Sequence, residues 1–226
     1  LLIMRKFLSF VIVLLLAVTA ACAQEKKDGT KPENSSIARI KLANELAKFG
    51  YETYSASSLI EAARILSEVQ TQDMGAVKYE QGKGTNEKSD KATEGISVQK
   101  LIKDAKEFAD GDATLLALAD KVNTDANSTR GAVGGPRAGS TVVYGGSTDS
   151  YSIYFKSGIP AEVAVSGNGA TDLDLYVYDE HGNLIVGDDD YSDDCYVCWT
   201  PRWTGNFIIK VVNRGRYNNY YNIATN

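Results

Sequence analysis

Between Asp172 and Asp194 the chain gathers Asp172, Asp174, Asp179, Asp188, Asp189, Asp190, Asp193 and Asp194, with Glu180 among them and no Lys or Arg in between. Carboxylates at this density suit a hard cation, and Ca²⁺ takes six to eight oxygens at about 2.3 to 2.6 Å. Strand alternation puts Asp172 and Asp174 on one face, and Asp188, Asp189 and Asp190 fall in the next loop. These five are the candidate calcium ligands. The same acids also read as a solvated rim whose aspartates serve turns and caps. EF-hand spacing is absent, so any site would be a non-standard one.

Two cysteines follow at once, Cys195 and Cys198. A redox C-x-x-C needs a helix start in an α/β setting, whereas strand residues surround this pair. Zinc would need two more ligands, and only His181 and carboxylates remain. Two readings stand: an inward Cys195 with an outward Cys198, or a local disulfide. On an extended strand the two lie about 10 Å apart, beyond the bridging limit of about 7 Å, so a disulfide requires a turn.

Catalytic constellations are not supported. His181 is the single histidine of the chain and sits in an expected hairpin turn. There is no H-E-x-x-H for a zinc protease and no G-x-S-x-G for a serine hydrolase, and the glycine-rich stretch at 131–135 lacks Walker spacing. The expectation is a protein that is not an enzyme. A net charge of −5 provides no basic field to collect phosphates, so nucleic acid is not an expected partner.

The elements that must carry these residues differ between the two halves. From Thr141 onward the apolar period is two. Tyr151, Ile153 and Phe155 alternate with Ser152, Tyr154 and Lys156, then come Val163 and Val165, and Leu173, Leu175 and Val177. His181-Gly182-Asn183 turns into Leu184 to Val186, and Cys195, Val197 and Trp199 precede Phe207, Ile209 and Val211. Short strands at this spacing, with glycine-rich turns, predict an antiparallel sandwich.

The series Thr171-Asp172-Leu173-Asp174-Leu175-Tyr176-Val177-Tyr178-Asp179, the turn Gly182-Asn183, Asp188-Asp189-Asp190, Trp199-Thr200-Pro201 and Thr204-Gly205-Asn206-Phe207-Ile208-Ile209-Lys210-Val211 resembles the bacterial pre-peptidase C-terminal domain family. The resemblance spans residues 140–226 and implies a jelly-roll-like β-sandwich. Family members are usually appended to secreted peptidases, so it also implies an alternative role as accessory or inhibitor-like partner of such an enzyme.

Residues 35–127 are patterned as a small helical bundle. Ile37, Ile40, Leu46 and Phe49 predict a first helix after Ser35 and Ser36 that stops at Gly50. Ser58 and Glu61 read as the capping box of a second, ending near Gln72, with Leu59, Ala62, Ala63, Leu66 and Val69 as its stripe. A third covers Val98 to Ala109, and Asp112 caps a fourth. Residues 79–94, polar and glycine-bearing, read as a mobile loop, and 128–139 as a linker. The fold class expected is therefore α+β in separate domains, a helical bundle followed by an antiparallel β-sandwich.

Residues 1–23 read as a signal peptide, with the true start at Met4, Arg5 and Lys6 as the positive region, Phe7 to Val18 apolar, and small residues to Ala23. A segment at 24–34 precedes the first helix. Cleavage after Ala23 gives a secreted or periplasmic protein. Alternatively, Thr19-Ala20-Ala21-Cys22 acts as a lipoprotein box and Cys22 anchors the protein to the envelope. The apolar run is short against the roughly 20 residues of a spanning helix, so no transmembrane span is expected in the mature form. The functional expectation is a non-catalytic binding, localisation or stabilising module, with calcium as candidate cofactor and a protein or glycan of the cell envelope as partner. Tyr217, Tyr220 and Tyr221, with Arg214 and Arg216, form a possible contact surface, or are plain half-buried strand residues.

Overall fold

A computed structural model describes residues 36–82, 95–128 and 135–226. The leader, the 24–34 segment, positions 83–94 of the expected loop and 129–134 of the expected linker lie outside the described residues. The helices are α1 (Ser36–Thr53), α2 (Ala56–Glu68), α3 (Val98–Phe108) and α4 (Ala113–Ser128). The strands are β1 (Gln72–Asp73), β2 (Lys78–Glu80), β3 (Arg137–Val143), β4 (Thr148–Phe155), β5 (Ala161–Ser166), β6 (Leu173–Tyr178), β7 (Leu184–Asp188), β8 (Asp194–Trp199), β9 (Gly205–Asn213) and β10 (Asn219–Thr225). The architecture is α+β, four helices with a two-sheet β-sandwich.

Helix ends follow local hydrogen bonding and depart from the expectation in three places, the first being that α2 ends at Glu68 rather than near Gln72. The cap of α2 is Ser55, whose Oγ accepts from the Ser58 N–H at 3.3 Å, three residues before the expected Ser58. Glu61 is then free of capping duty and pairs with Arg64 on the exposed face. Gly50 does not stop α1, which runs on to Thr53. A Cβ there would lie 2.5 Å from Leu59 Cδ2, so this glycine lets α1 and α2 approach closely. The buried stripe of α1 is accordingly Ile37, Ile40, Ala43, Ala47 and Gly50, leaving Phe49 exposed. Asp112 does cap α4, its Oδ1 accepting from the N–H groups of Thr114 and Leu115. Around α2 the helices bury Leu59, Ile60, Leu101, Ile102, Ala105, Ala119 and Val122 as one apolar cluster.

The sandwich has two five-stranded sheets, ordered β1-β3-β10-β5-β8 and β2-β4-β9-β6-β7. All pairs are antiparallel except β1 with β3. Period-two alternation puts Tyr151, Ile153, Phe155, Val163, Val165, Leu173, Leu175, Val177, Phe207, Ile209 and Val211 into one core. β1 and β2 were not expected. They follow α2 in sequence yet extend one sheet each, and all their residues are exposed. Arg137 and Ala138, assigned to the linker by composition, begin β3.

The outer face of the β3-β10-β5-β8 sheet is built in rows. Strand register sets Ala138, Ala224, Ala164 and Tyr196 side by side, and Ser140, Asn222, Ser166 and Asp194 in the row two residues further on. Ile37, Ile40 and Val69 pack on the alanine row, and Lys41 Nζ sits 4.5 Å above the Tyr196 ring. Small side chains let the helix lie close, and each buried aliphatic contributes about 1.5–3 kcal/mol.

Candidate ligand cleft

The expected calcium ligands are neighbours, with Asp174 and Asp188 already bonded to protein donors. Asp174 on β6 is buried, and its Oδ2 accepts from Arg214 Nε and, at 2.9 Å, from the Tyr176 hydroxyl. Asp188 turns its Oδ2 to the Tyr196 N–H at 2.8 Å. Asp189 Oδ2 lies 3.5 Å from the Tyr176 hydroxyl, whose one proton goes to Asp174, and the charge of Asp190 acts on Asp172. Asp172 has a buried Oδ1 without a hydrogen-bond partner among the described residues, and burial first, then Asp174 and Asp190, pushes its carboxyl up. Among the described residues no group of three or more His, Cys, Asp or Glu side chains is placed to hold a metal. With Arg214 occupying Asp174 and a backbone N–H occupying Asp188, the arrangement does not fit a Ca²⁺ ligand set as it stands. Asp179 serves the hairpin turn instead. It accepts from the N–H groups of His181 and Asn183 and from the Asn183 amide, which holds its carboxyl below the usual range.

The local disulfide is not formed. Cys195 is a free, buried thiol whose Sγ donates to the Leu173 carbonyl at 3.0 Å, and burial pushes it far up. It points inward beside Val197, as strand alternation dictates, and Cys198 lies on the opposite face. His181 is exposed at its turn, 3.7 Å from Glu180 Oε1. Of the tail aromatics, Tyr221 is fully buried, whereas Tyr217 is exposed under Arg216. Tyr221 donates to Asp149 Oδ2 at 2.8 Å, and Tyr151 lies 2.7 Å from its hydroxyl oxygen.

A concave feature lies where α1 overhangs the polar row of the outer sheet face. A cavity of about 460 Å³ is lined by Lys48, Tyr51, Glu52, Ile96, the 167–169 loop, Asp193, Asp194, Tyr220 and Asn222. Its floor is held by Asp193 and Asn219. Asn219 is fully buried. Its amide donates to Thr171 O at 2.9 Å and to Asp193 Oδ2 at 3.2 Å, and its Oδ1 accepts from the Asn168 N–H at 3.1 Å. Asp193 also accepts from the Gly169 N–H, and its carbonyl accepts from the Gly167 N–H at 2.8 Å. A Cβ at Gly167 would come within 2.3 Å of Asp193 Oδ2, so the loop lies flat only because this residue is glycine. From above, Lys48 Nζ reaches Asp194 Oδ2 at 2.5 Å and Asp193 Oδ1 at 3.5 Å, and Ser166 Oγ donates to Asp194 Oδ1 at 2.6 Å.

No family model matches the chain, and no curated protein does. Among solved structures it is similar to the pre-peptidase C-terminal domain of a collagenase from Bacillus anthracis, at 13% identity over 39% of this chain and 87% of that one, TM-score 0.36. It is also similar to PliG of Aeromonas hydrophila, a periplasmic inhibitor of g-type lysozyme, at 16% identity over 40% and 83%, TM-score 0.32. A third is the C-terminal CBM6 of LamC, a laminarinase of Zobellia galactanivorans, at 15% identity over 35% and 73%, TM-score 0.24.

Of the cleft residues, only Tyr220 and the acids Asp193 and Asp194 drew notice in the sequence. Lys48, Glu52, Asn168, Asn219 and Asn222 did not. Gly167-Asn168-Gly169 was the available signal, a turn tripeptide whose asparagine bonds forward to the Ala170 N–H at 3.2 Å. Among the described residues no helix is long and apolar enough to cross a membrane.

Proposed function

We propose that this chain is a non-catalytic binding module, exported and working at the cell envelope, that seats a protein or glycan partner in the cleft between α1 and the sandwich. The observation that supports this reading is the Asp193–Asn219–Lys48 lattice. It fixes the 167–169 loop against α1 around an open concavity, so a ligand meets a preformed surface and little ordering cost is incurred on binding. Export rests on the leader pattern, with a secreted or periplasmic form and a Cys22-anchored form both compatible with the cleft. Calcium enters this reading only as a competitor of Arg214 for Asp174.

The test immobilises the protein and exposes it to solubilised envelope material and culture medium, with Gly167→Ala as control. The added methyl displaces Asp193 and deforms the floor. Material retained by the unmodified protein and lost from the variant, while circular dichroism stays unchanged, supports the proposal. Equal retention by both would remove the cleft from the function. Recovery of a secreted peptidase as the cleft-dependent partner would support the accessory role.

A further inference from the structure

Resting on the reading of this cleft as a ligand seat, we propose that its ligand is a saccharide, with a neutral sugar ring lying against Tyr220. The cavity of about 460 Å³ lies within the range of small-ligand pockets. The charges around it largely satisfy one another: Lys48 is taken up by Asp193 and Asp194, and Asp193 is further engaged by Asn219 and the Gly169 N–H. An anionic ligand would have to compete for Lys48, and a cationic one would find Glu52 as its remaining carboxylate.

What is left is hydrogen bonding and flat apolar surface. Neither the Tyr220 hydroxyl nor the Glu52 carboxylate makes a hydrogen bond among the described residues. Asn222 accepts from Ser140 through its Oδ1, which leaves its amide N–H groups for a ligand. A phenol, a carboxylate and a carboxamide beside the Tyr220 ring match the alternating hydroxyls and apolar C–H faces of a pyranose. An extended basic peptide would need several unpaired carboxylates, and this cleft presents one.

Isothermal titration calorimetry of the purified full chain with maltose, cellobiose and N,N′-diacetylchitobiose tests the idea, with a lysine-rich peptide as the competing class. Tyr220→Phe and Glu52→Gln each remove one contact at a half-buried or exposed position and leave the core intact. The expected result is binding of at least one disaccharide that weakens about tenfold in each variant. Disaccharide binding unchanged in both variants overturns the proposal, because the sugar then sits elsewhere. Peptide binding that falls with Glu52→Gln, with no sugar bound, overturns the saccharide and leaves the ligand seat standing. If neither class binds, the saccharide is overturned, and the envelope capture with Gly167→Ala decides the seat separately.

Discussion

Asp149 is the residue whose chemistry the fold perturbs in the most measurable way. It is 2% exposed, in the sandwich interior, and its carboxylate accepts from Tyr221, which is itself within hydrogen-bond distance of Tyr151. Burial raises its carboxyl from the ordinary 3.8 to about 6, with the Tyr221 hydrogen bond opposing the rise. A carboxyl raised on folding binds its proton more tightly in the native state. Its contribution to stability is therefore fully present below the unfolded value and is lost as pH climbs through about 6. At about 1.4 kcal/mol per pH unit the gap corresponds to a ceiling near 3 kcal/mol, of which about 2 kcal/mol falls between about pH 4.5 and about pH 7.5, because the unfolded carboxyl is already mostly ionised at the acid end. Asp149→Asn keeps an acceptor for Tyr221 and removes the charge. Urea unfolding of both proteins at about pH 4.5 and about pH 7.5 isolates this group, since all other carboxyls cancel in the difference. Relative to the parent, the variant should gain about 2 kcal/mol on going from the acid to the neutral condition. A difference that moves by less than about 0.5 kcal/mol across that range refutes the reasoning.

Three further outcomes follow from the packing. Gly50→Ala gains about 1 kcal/mol of helix propensity but drives a methyl into Leu59, which costs about 1–3 kcal/mol, so thermal melting should fall by a few degrees; a rise would mean that the α1–α2 contact is looser than described. Cys195, buried with its thiol pushed far up, should resist iodoacetamide near pH 8 until urea unfolds the chain, as read by mass mapping of its peptide; alkylation of the native protein would contradict its burial. Arg214→Ala strips the counter-charge from buried Asp174 and should cost about 1–3 kcal/mol; calcium near 1 mM should leave the melting temperature of the parent unchanged and raise that of the variant, and a rise in the parent would show that the cation displaces Arg214 unaided.

The sandwich core was legible because burial there obeys a local rule. Tyr151, Ile153 and Phe155 alternate with polar neighbours, and no distant residue was needed to assign their faces. Helix existence was legible for the same reason, while helix ends were not. Ser55 and Ser58 both offer a cap, and the choice between them depends on how the α1–α2 turn closes, with the Ser55 N–H donating to Gly50 O at 2.9 Å. β1 and β2 carry no apolar pattern because none of their residues is buried; pairing with β3 and β4 alone defines them. The acids were counted correctly as a concentration of charge, but Arg214 returns to Asp174 from 40 residues away and changes what that charge can hold.

The cleft was illegible for a sharper reason, since it is a property of register between strands far apart in the chain. Along β10 the residues turned away from the core grow from Ala224 to Asn222 to Tyr220. Ala138 and Ala164 flank the first of these, so Ile37 and Ile40 of α1 settle directly on the sheet. Ser140 and Ser166 flank the second, and there the sheet surface becomes polar just as α1 presents Lys48, Tyr51 and Glu52 above it. An apolar helix face cannot seal against a row whose hydroxyls and amides need partners. The gap therefore opens where the row changes character, and the Lys48 pairs with Asp193 and Asp194 set its width. On this account the same helix holds the sheet at one end and roofs a ligand site at the other. Widening the apolar row by Ser140→Ala with Ser166→Ala, which leaves Asn222 in place, should draw α1 down and close the cavity, which the loss of disaccharide binding with unchanged or increased melting temperature would report.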